Sequence, residues 1–185
     1  YSEFQTDRHV VEEGIPFDLA LEAKLELAWD YGLDATSVVV CQDAPSEYRV
    51  IGILELGDLF GTTATPELVS QALREYLAAL GVPRERTTPE WTRRMYAIGD
   101  PSGHARSLAT NRSLVADYRK QGFAIGKPPS RLTSTVDPSI RAVKRLLLGG
   151  PKPLRVCGVR AEAFARHMRN NVWPTDALGR RTGST

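Results

Sequence analysis

The stretch Leu25-Glu26-Leu27-Ala28-Trp29-Asp30-Tyr31-Gly32-Leu33-Asp34, taken with the two apolar runs after it, decides the fold. Its apolar run reads as a buried strand that delivers a carboxylate, Asp30, to its own end, just before a short glycine-bearing connection. Thr36-Ser37-Val38-Val39-Val40-Cys41-Gln42 reads as a second strand and Asp43-Ala44-Pro45-Ser46 as a tight polar turn. Tyr48-Arg49-Val50-Ile51-Gly52-Ile53-Leu54-Glu55 then reads as a third strand. Consecutive strands joined this tightly pair with their neighbours, so the three form an antiparallel meander.

A crossover comes only after the third strand. Thr65-Pro66-Glu67 combines an N-cap residue, a proline at the first helical position and an acid beside the positive helix end. Leu68, Val69, Ala72, Leu73, Tyr76, Leu77 and Leu80 recur at helical spacing until Gly81 and Pro83 stop the run. Arg84 to Arg94 reads as a polar connection. Met95-Tyr96-Ala97-Ile98-Gly99 is the fourth strand; it ends in Asp100, which the turn Pro101-Ser102-Gly103 would hold still. A helix follows over about 111–121, stopped by Gly122, and Phe123-Ala124-Ile125 is a short extended piece. Asp137-Pro138 starts a helix that runs through Leu148, Leu154 to Cys157 is strand-like, and residues 160–170 are amphipathic, with Ala161, Phe164, Ala165 and Met168 on one face.

This pattern is not that of a doubly wound dinucleotide fold. The expected architecture is α/β: a mixed five-stranded sheet of order 3-2-1-4-5, its first three strands the meander, flanked by helices. In that order strands one and four are parallel neighbours, so Asp30 and Asp100 reach one edge of the sheet and their side chains converge. Two such carboxylates suit a shared hard cation. The plainer reading has each aspartate only ending its strand, Asp30 in the Gly32 turn and Asp100 capping the Pro101 turn. Asp34 reads as a turn residue and Glu55 as a strand-end charge near the site.

The chain has 185 residues, 42% hydrophobic and 25% charged, which suits one globular domain. No apolar stretch approaches the roughly 20 residues a membrane span needs. Cys41 and Cys157 fall in apolar runs and read as buried thiols of a reducing cytoplasm. His9, His104 and His167 stand apart, without zinc spacing. A net charge of +2 does not argue for nucleic acid. Its make-up says more, since 19 arginines stand against 5 lysines among the 24 basic residues. They cluster at Arg84/Arg86, Arg93/Arg94, Arg141/Lys144/Arg145 and Arg180/Arg181, and arginine forks grip phosphate in pairs of bonds. Arg93, Arg94 and Arg106 are the candidate phosphate contacts, and no base-reading code is visible. Tyr1 to Pro16 is polar and acidic with no signal pattern, so the chain is expected to be an unsecreted piece of a longer protein.

Three segments carry a resemblance: the leading segment Asp7-Arg8-His9-Val10-Val11, Trp29-Asp30-Tyr31-Gly32-Leu33, and Gly99-Asp100-Pro101-Ser102-Gly103 with Arg106 shortly after. From Phe4 to about Trp173 the chain resembles the C-terminal nuclease domain of the large terminase subunit of tailed bacteriophages, which has a ribonuclease H-like fold. The resemblance implies that this single domain, 1–185, is a nuclease that cuts concatemeric viral DNA during genome packaging, and the absence of a base-reading code suits cutting with little sequence preference. It implies two Mg²⁺ or Mn²⁺ ions held by acids from the first strand, the fourth strand and a late helix. Asp30 matches the first position and Asp100 the second. Asp30 would bridge both ions and Asp100 would hold one. The third acid is expected beyond the last strand and outside this chain, because Asp176, within Pro174-Thr175-Asp176-Ala177, reads as a loop residue. The isolated chain is therefore expected to cut weakly at best.

Hard cations prefer carboxylate and water to sulfur or imidazole, which fits aspartate. Two such carboxylates repel without metal, so one is expected to take up a proton, and metal affinity to weaken as pH falls. Implied partners are double-stranded DNA, the protein's own N-terminal packaging ATPase domain (expected to lie outside this chain), the portal and the small terminase subunit, all in the cytoplasm of the infected host. Two other readings exist. Asp30-Tyr31-Gly32 followed by Thr36 also resembles the first phosphate-binding strand of actin-like and sugar kinases, but no second copy and no G-x-x-x-x-G-K-[ST] loop accompanies it. A DNA- or protein-docking module that kept the fold without a complete site is the non-enzymatic reading.

Overall fold

Alternating burial along Leu25–Tyr31, with Leu25, Leu27 and Trp29 inside and Asp30 out, makes this strand the axis of the sheet. A computed structural model describes residues 3–13, 15, 25–31, 35–57, 65–106, 111–127, 147–148 and 152–170. Its strands are β1 (Val10–Val11), β2 (Leu25–Tyr31), β3 (Ala35–Asp43), β4 (Tyr48–Gly57), β5 (Tyr96–Gly99), β6 (Ile125–Gly126) and β7 (Leu154–Cys157). Its helices are α1 (Thr6–His9), α2 (Pro66–Ala79), α3 (Pro89–Thr92), α4 (Leu114–Lys120) and α5 (Glu162–Asn170).

The sheet runs β1-β7-β4-β3-β2-β5-β6. The expected 3-2-1-4-5 order stands inside it as β4-β3-β2-β5-β6, with β2 antiparallel to β3 and parallel to β5. Two strands extend it. β7 pairs parallel with β4, and β1 pairs parallel with β7, so the β4 edge is covered rather than left open. The connection from Arg84 to Arg94 is more ordered than expected. It holds a 3-10 turn at Arg84–Arg86 and then α3, which begins with Thr88 followed by Pro89, the same cap-then-proline signal as α2. The helix expected from Asp137 lies outside the described residues except for Leu147 and Leu148, as does the tail beyond Asn170.

The core reaches both faces of the sheet, with Leu25, Leu27 and Trp29 on one and Cys41, Val50 and Val156 on the other. Trp29 lies edge-on to Tyr118 of α4 at 5.7 Å and to Phe123 at 5.3 Å, pairings worth about 0.5–1.5 kcal/mol each beyond area burial. Val69, Leu73 and Leu77 of α2 are fully buried, whereas Leu68 is 55% exposed and Ser70 takes an inward position. Thr65 caps α2 by accepting from Leu68 N at 3.3 Å, and Ser113 caps α4 by accepting from Ala116 N at 3.2 Å. Gly122, at φ +94°, ends α4 in the left-handed region that glycine tolerates. Cys41 and Cys157 are free and buried, and desolvation is the main cause pushing the Cys41 thiol up to about 12. Among the described residues no helix is long and apolar enough to cross a membrane.

Two local contacts hold the sheet's edges in place. His9 is buried; its Nδ1 accepts from Gln5 N at 2.9 Å, so Nε2–H donates to the Leu147 carbonyl at 2.8 Å, and the ring stacks on Phe4 at 5.4 Å. At the other side Tyr31 lies against two glycines. A Cβ at Gly99 would sit 2.6 Å from the Tyr31 hydroxyl oxygen, and one at Gly103 would sit 2.7 Å from Tyr31 Cδ2 and closer still to Cε2. Gly103→Ala therefore has to displace the aromatic ring itself, and thermal unfolding should show a loss of about 1–3 kcal/mol. His9→Ala strips the Leu147 carbonyl of its buried donor; denaturant titration should show a loss of about 1–3 kcal/mol, while a neutral result would deny the histidine its bridging role.

Candidate active site

Parallel pairing of β2 with β5 sets Glu26 beside Tyr96, Leu27 beside Ala97, Ala28 beside Ile98 and Trp29 beside Gly99. Asp100 N then donates to the Trp29 carbonyl at 3.1 Å, which carries the pairing one step past the strand. Asp30 and Asp100 thus take neighbouring positions, and adjacent strands in a sheet lie about 4.8 Å apart. Both are exposed, whereas Trp29 and Gly99 are buried on the other face. The expected neighbouring strands with Asp30 and Asp100 at one edge are found here.

Asp100 is locked by its own turn. It caps the 3-10 turn Pro101–His104, its Oδ1 accepts from Ser102 N at 2.8 Å, and its carbonyl accepts from Gly103 N at 3.2 Å. The hydrogen bonds from the Ser102 side chain first, and its backbone second, hold the Asp100 carboxyl below the usual aspartate range. The turn, rather than repulsion from a nearby acid, governs this group. The proton that crowding was expected to leave on one carboxylate is not favoured at Asp100. Beneath it, burial, then Tyr118, then Asp100 itself push the Tyr31 phenol upward, so it stays neutral.

The row of polar positions extends beyond the two aspartates. Asp30 pairs with Ser37, and Ser37 with Glu55, so Asp100, Asp30, Ser37 and Glu55 line one row across four strands. A register shift between Val40 and Cys41 puts Glu55 there. Counted from the Asp43–Tyr48 pair without that bulge, Ser37 would meet Leu54, and Glu55 would face the core. Beyond the row, the Arg160 carbonyl accepts from Ile53 N and from the Tyr76 hydroxyl, each at 3.1 Å, which anchors the start of α5 against β4. α5 then brings His167 Nε2 to 3.5 Å from Glu55 Oε1. By sequence alone Glu55 is a strand-end charge near the site and His167 stands apart. Only the bulge at Ile51 could have joined them, and its one residue signal is the neighbouring Gly52.

The other candidate residues separate into two groups. Arg106 is exposed and pairs with Ser113 just past the Asp100 turn, on the side of the acids. Arg93 and Arg94 are exposed but precede β5, so the whole strand lies between them and Asp100. His104 is half-buried in the turn. Asp34 and Asp176 lie outside the described residues, and among the described residues no group of three His, Cys, Asp or Glu side chains is placed to hold a metal. What the fold brings to neighbouring positions, among the described residues, is a pair of exposed oxygen-donor carboxylates. That donor set suits a hard divalent cation completed by water.

No family model matches the chain, and neither does any curated protein. Solved structures do. The large terminase of a thermophilic bacteriophage, also solved in complex with ADP, superposes with a TM-score of 0.67 at 17% identity, over 98% of this chain and 39% of that one. The nuclease domain of g2p, the large terminase of bacteriophage SPP1, solved with bound Mn, gives 0.52 at 15% identity over 94% of this chain and 84% of that domain. The large terminase nuclease of the thermophilic phage G20c gives 0.50 at 14% identity over 87% and 74%. The chain spans about two-fifths of the first of these proteins and most of the SPP1 domain. Its mixed sheet and flanking helices have the fold of large terminase nuclease domains.

Proposed function

We propose that this domain is a divalent-metal-dependent endodeoxyribonuclease of the terminase kind, cutting concatemeric viral DNA during packaging with little sequence preference. The observation that carries this is the side-by-side placement of Asp30 and Asp100 on one face, at the ends of parallel strands. The bound Mn of the SPP1 domain, which shares the fold, favours the same class of ion. Asp30 and Asp100 would hold two Mg²⁺ or Mn²⁺ ions, Asp30 contacting both. When bound, such ions supply an activated water and charge neutralisation at the leaving 3′ oxygen.

The chain's own residues do the rest. The Ser102 turn keeps Asp100 oriented and charged, Tyr31 supports that turn from the core side, and Arg106 is the phosphate contact on the acid side of the sheet. Contacts to phosphate alone explain low sequence preference. A packaging ATPase domain, portal, small terminase subunit and host cytoplasm belong to the same proposal. A docking module without cleavage is the second reading, and the pairing of only two acids among the described residues is what favours it.

With supercoiled plasmid and Mn²⁺, the native chain should nick DNA slowly, and EDTA should stop it. Asp30→Asn and Asp100→Asn should each lower the rate by about 10²-fold or more, since a metal site supplies several kcal/mol of transition-state stabilisation. Binding of DNA without any metal-dependent cutting would leave the docking reading instead. The pH dependence follows from Asp100. Because its folded carboxyl titrates below the usual range, its contribution is present above the ordinary aspartate range and is lost as pH falls through the lowered value. Ser102→Ala removes the first cause of that lowering, so carboxyl-carbon NMR should show Asp100 titrating at higher pH, and the loss of Mn²⁺ binding on acidification should begin earlier. An unchanged Asp100 titration would deny the serine this role.

A further inference from the structure

The acid-bearing face is built in three rows along β5 and its neighbours. Asp100, Asp30, Ser37 and Glu55 form the first, and Ile98, Ala28, Val39 and Ile53, all half-buried, form the second. In the third, Tyr96 sits beside Glu26, whose carboxylate is taken by the Tyr48 hydroxyl. On the opposite face α4 lies against Trp29 through Tyr118, and α2 lies against Gly52 of β4 through Tyr76. Tyr96 is 54% exposed, a large aromatic ring on an otherwise half-covered sheet surface.

Alternation along β5 puts Tyr96, Ile98 and Asp100 on one side. At about 3.3 Å per residue, Tyr96 stands about 13 Å from Asp100 along the strand. A stacked nucleic-acid strand advances about 3.4 Å per nucleotide, so that distance covers about four nucleotides, and fewer once the bases are splayed apart. Arg93 and Arg94, both exposed, lie three and two residues before Tyr96, in the turn that leads from α3 into β5. An aromatic platform followed by cations is the arrangement that holds unpaired bases, because every base has a face to stack and every step a phosphate to pair. In an intact duplex the base faces are covered, and Tyr96 would have nothing to stack on.

We infer that β5 carries a binding track for single-stranded DNA, in which Tyr96 stacks an unpaired base a few nucleotides from the phosphate at Asp30 and Asp100, and Arg93 and Arg94 hold the backbone beyond. This rests on the nuclease reading for the position of the cut, and it narrows the substrate to DNA that is single-stranded or frayed beside that cut. It also gives Arg93 and Arg94 a part that their distance from Asp100 would otherwise deny them.

The test is fluorescence anisotropy with a labelled 20-nucleotide oligothymidylate and a blunt 20-base-pair duplex, in EDTA so that no cutting occurs. Tyr96→Ala should weaken the single strand by about 5- to 150-fold, the worth of one base on an aromatic ring, and the duplex by less than about twofold. Tyr96→Phe keeps the ring and should bind as the native chain does. Tyr96→Leu keeps bulk and strand preference without the ring, so it should lose binding like the alanine variant even if the latter folds poorly. Replacing Arg93 and Arg94 with alanine should flatten the salt dependence of single-strand binding by up to about 1.4 in log–log slope. Native affinity in Tyr96→Leu, equal losses on both DNAs, or no binding of the oligonucleotide by the native chain would each overturn the inference. Plasmid cutting that needs Asp30 but ignores Tyr96 would sink this track and leave the nuclease standing. Tyr96-dependent binding without any cutting would do the reverse.

Discussion

Parallel pairing of β2 with β5, in the register that sets Trp29 against Gly99, is the constraint on which everything else in this domain depends. It places Asp30 and Asp100 in adjacent positions and turns both toward solvent, while Trp29 on the opposite side packs against Tyr118 and Phe123. Were the charges of the two aspartates held as close as the strands themselves, about 5 Å, they would repel by roughly 1 kcal/mol in water and roughly 3 kcal/mol under the screening typical of a protein surface. The fold does nothing to relieve this by neutralising Asp100. The Ser102 hydrogen bonds instead favour its charged form. A carboxylate kept charged beside another acid is an arrangement that a divalent cation would stabilise.

Small residues around Asp100 make that arrangement possible. Gly99 and Gly103 let the Tyr31 ring slide under the turn, and the ring in turn leaves no room for the turn to relax inward. The glycines, the tyrosine and the aspartate are therefore one packed unit, and a change at Gly103 is felt at Asp100 through Tyr31. The bulge between Val40 and Cys41 acts at longer range. By advancing β4 one residue against β3, it turns Glu55 onto the Asp30 row and Leu54 toward Val38 in the core.

Much of this was legible in the residues. The meander follows from its turn chemistry, α2 from the Thr65-Pro66 start, and the meeting of the two aspartates from a crossover delayed until after the third strand. What stayed hidden has physical causes. Val10–Val11 is two residues long and pairs with β7, a partner 146 positions away, so no local pattern marks it. α3 sits in an arginine-rich stretch that looks like connection, although Thr88-Pro89 repeats a signal read correctly elsewhere. Leu68 fits the apolar period of α2 yet points outward, because the buried stripe is narrower than the apolar one. The bulge that places Glu55 falls at Ile51, beside Gly52; a lone strand glycine marks where a bulge is common but not which way the register shifts, and so the link from Asp30 to His167 stayed hidden.

The central claim, that Asp30 and Asp100 jointly hold divalent metal, is tested most directly by a crystal soaked in Mn²⁺ and measured for anomalous scattering. A peak within about 2.0–2.6 Å of a carboxylate oxygen from each aspartate is the predicted result. Saturating Mn²⁺ that leaves this edge of the sheet empty, or that is held by one aspartate without the other, would contradict it.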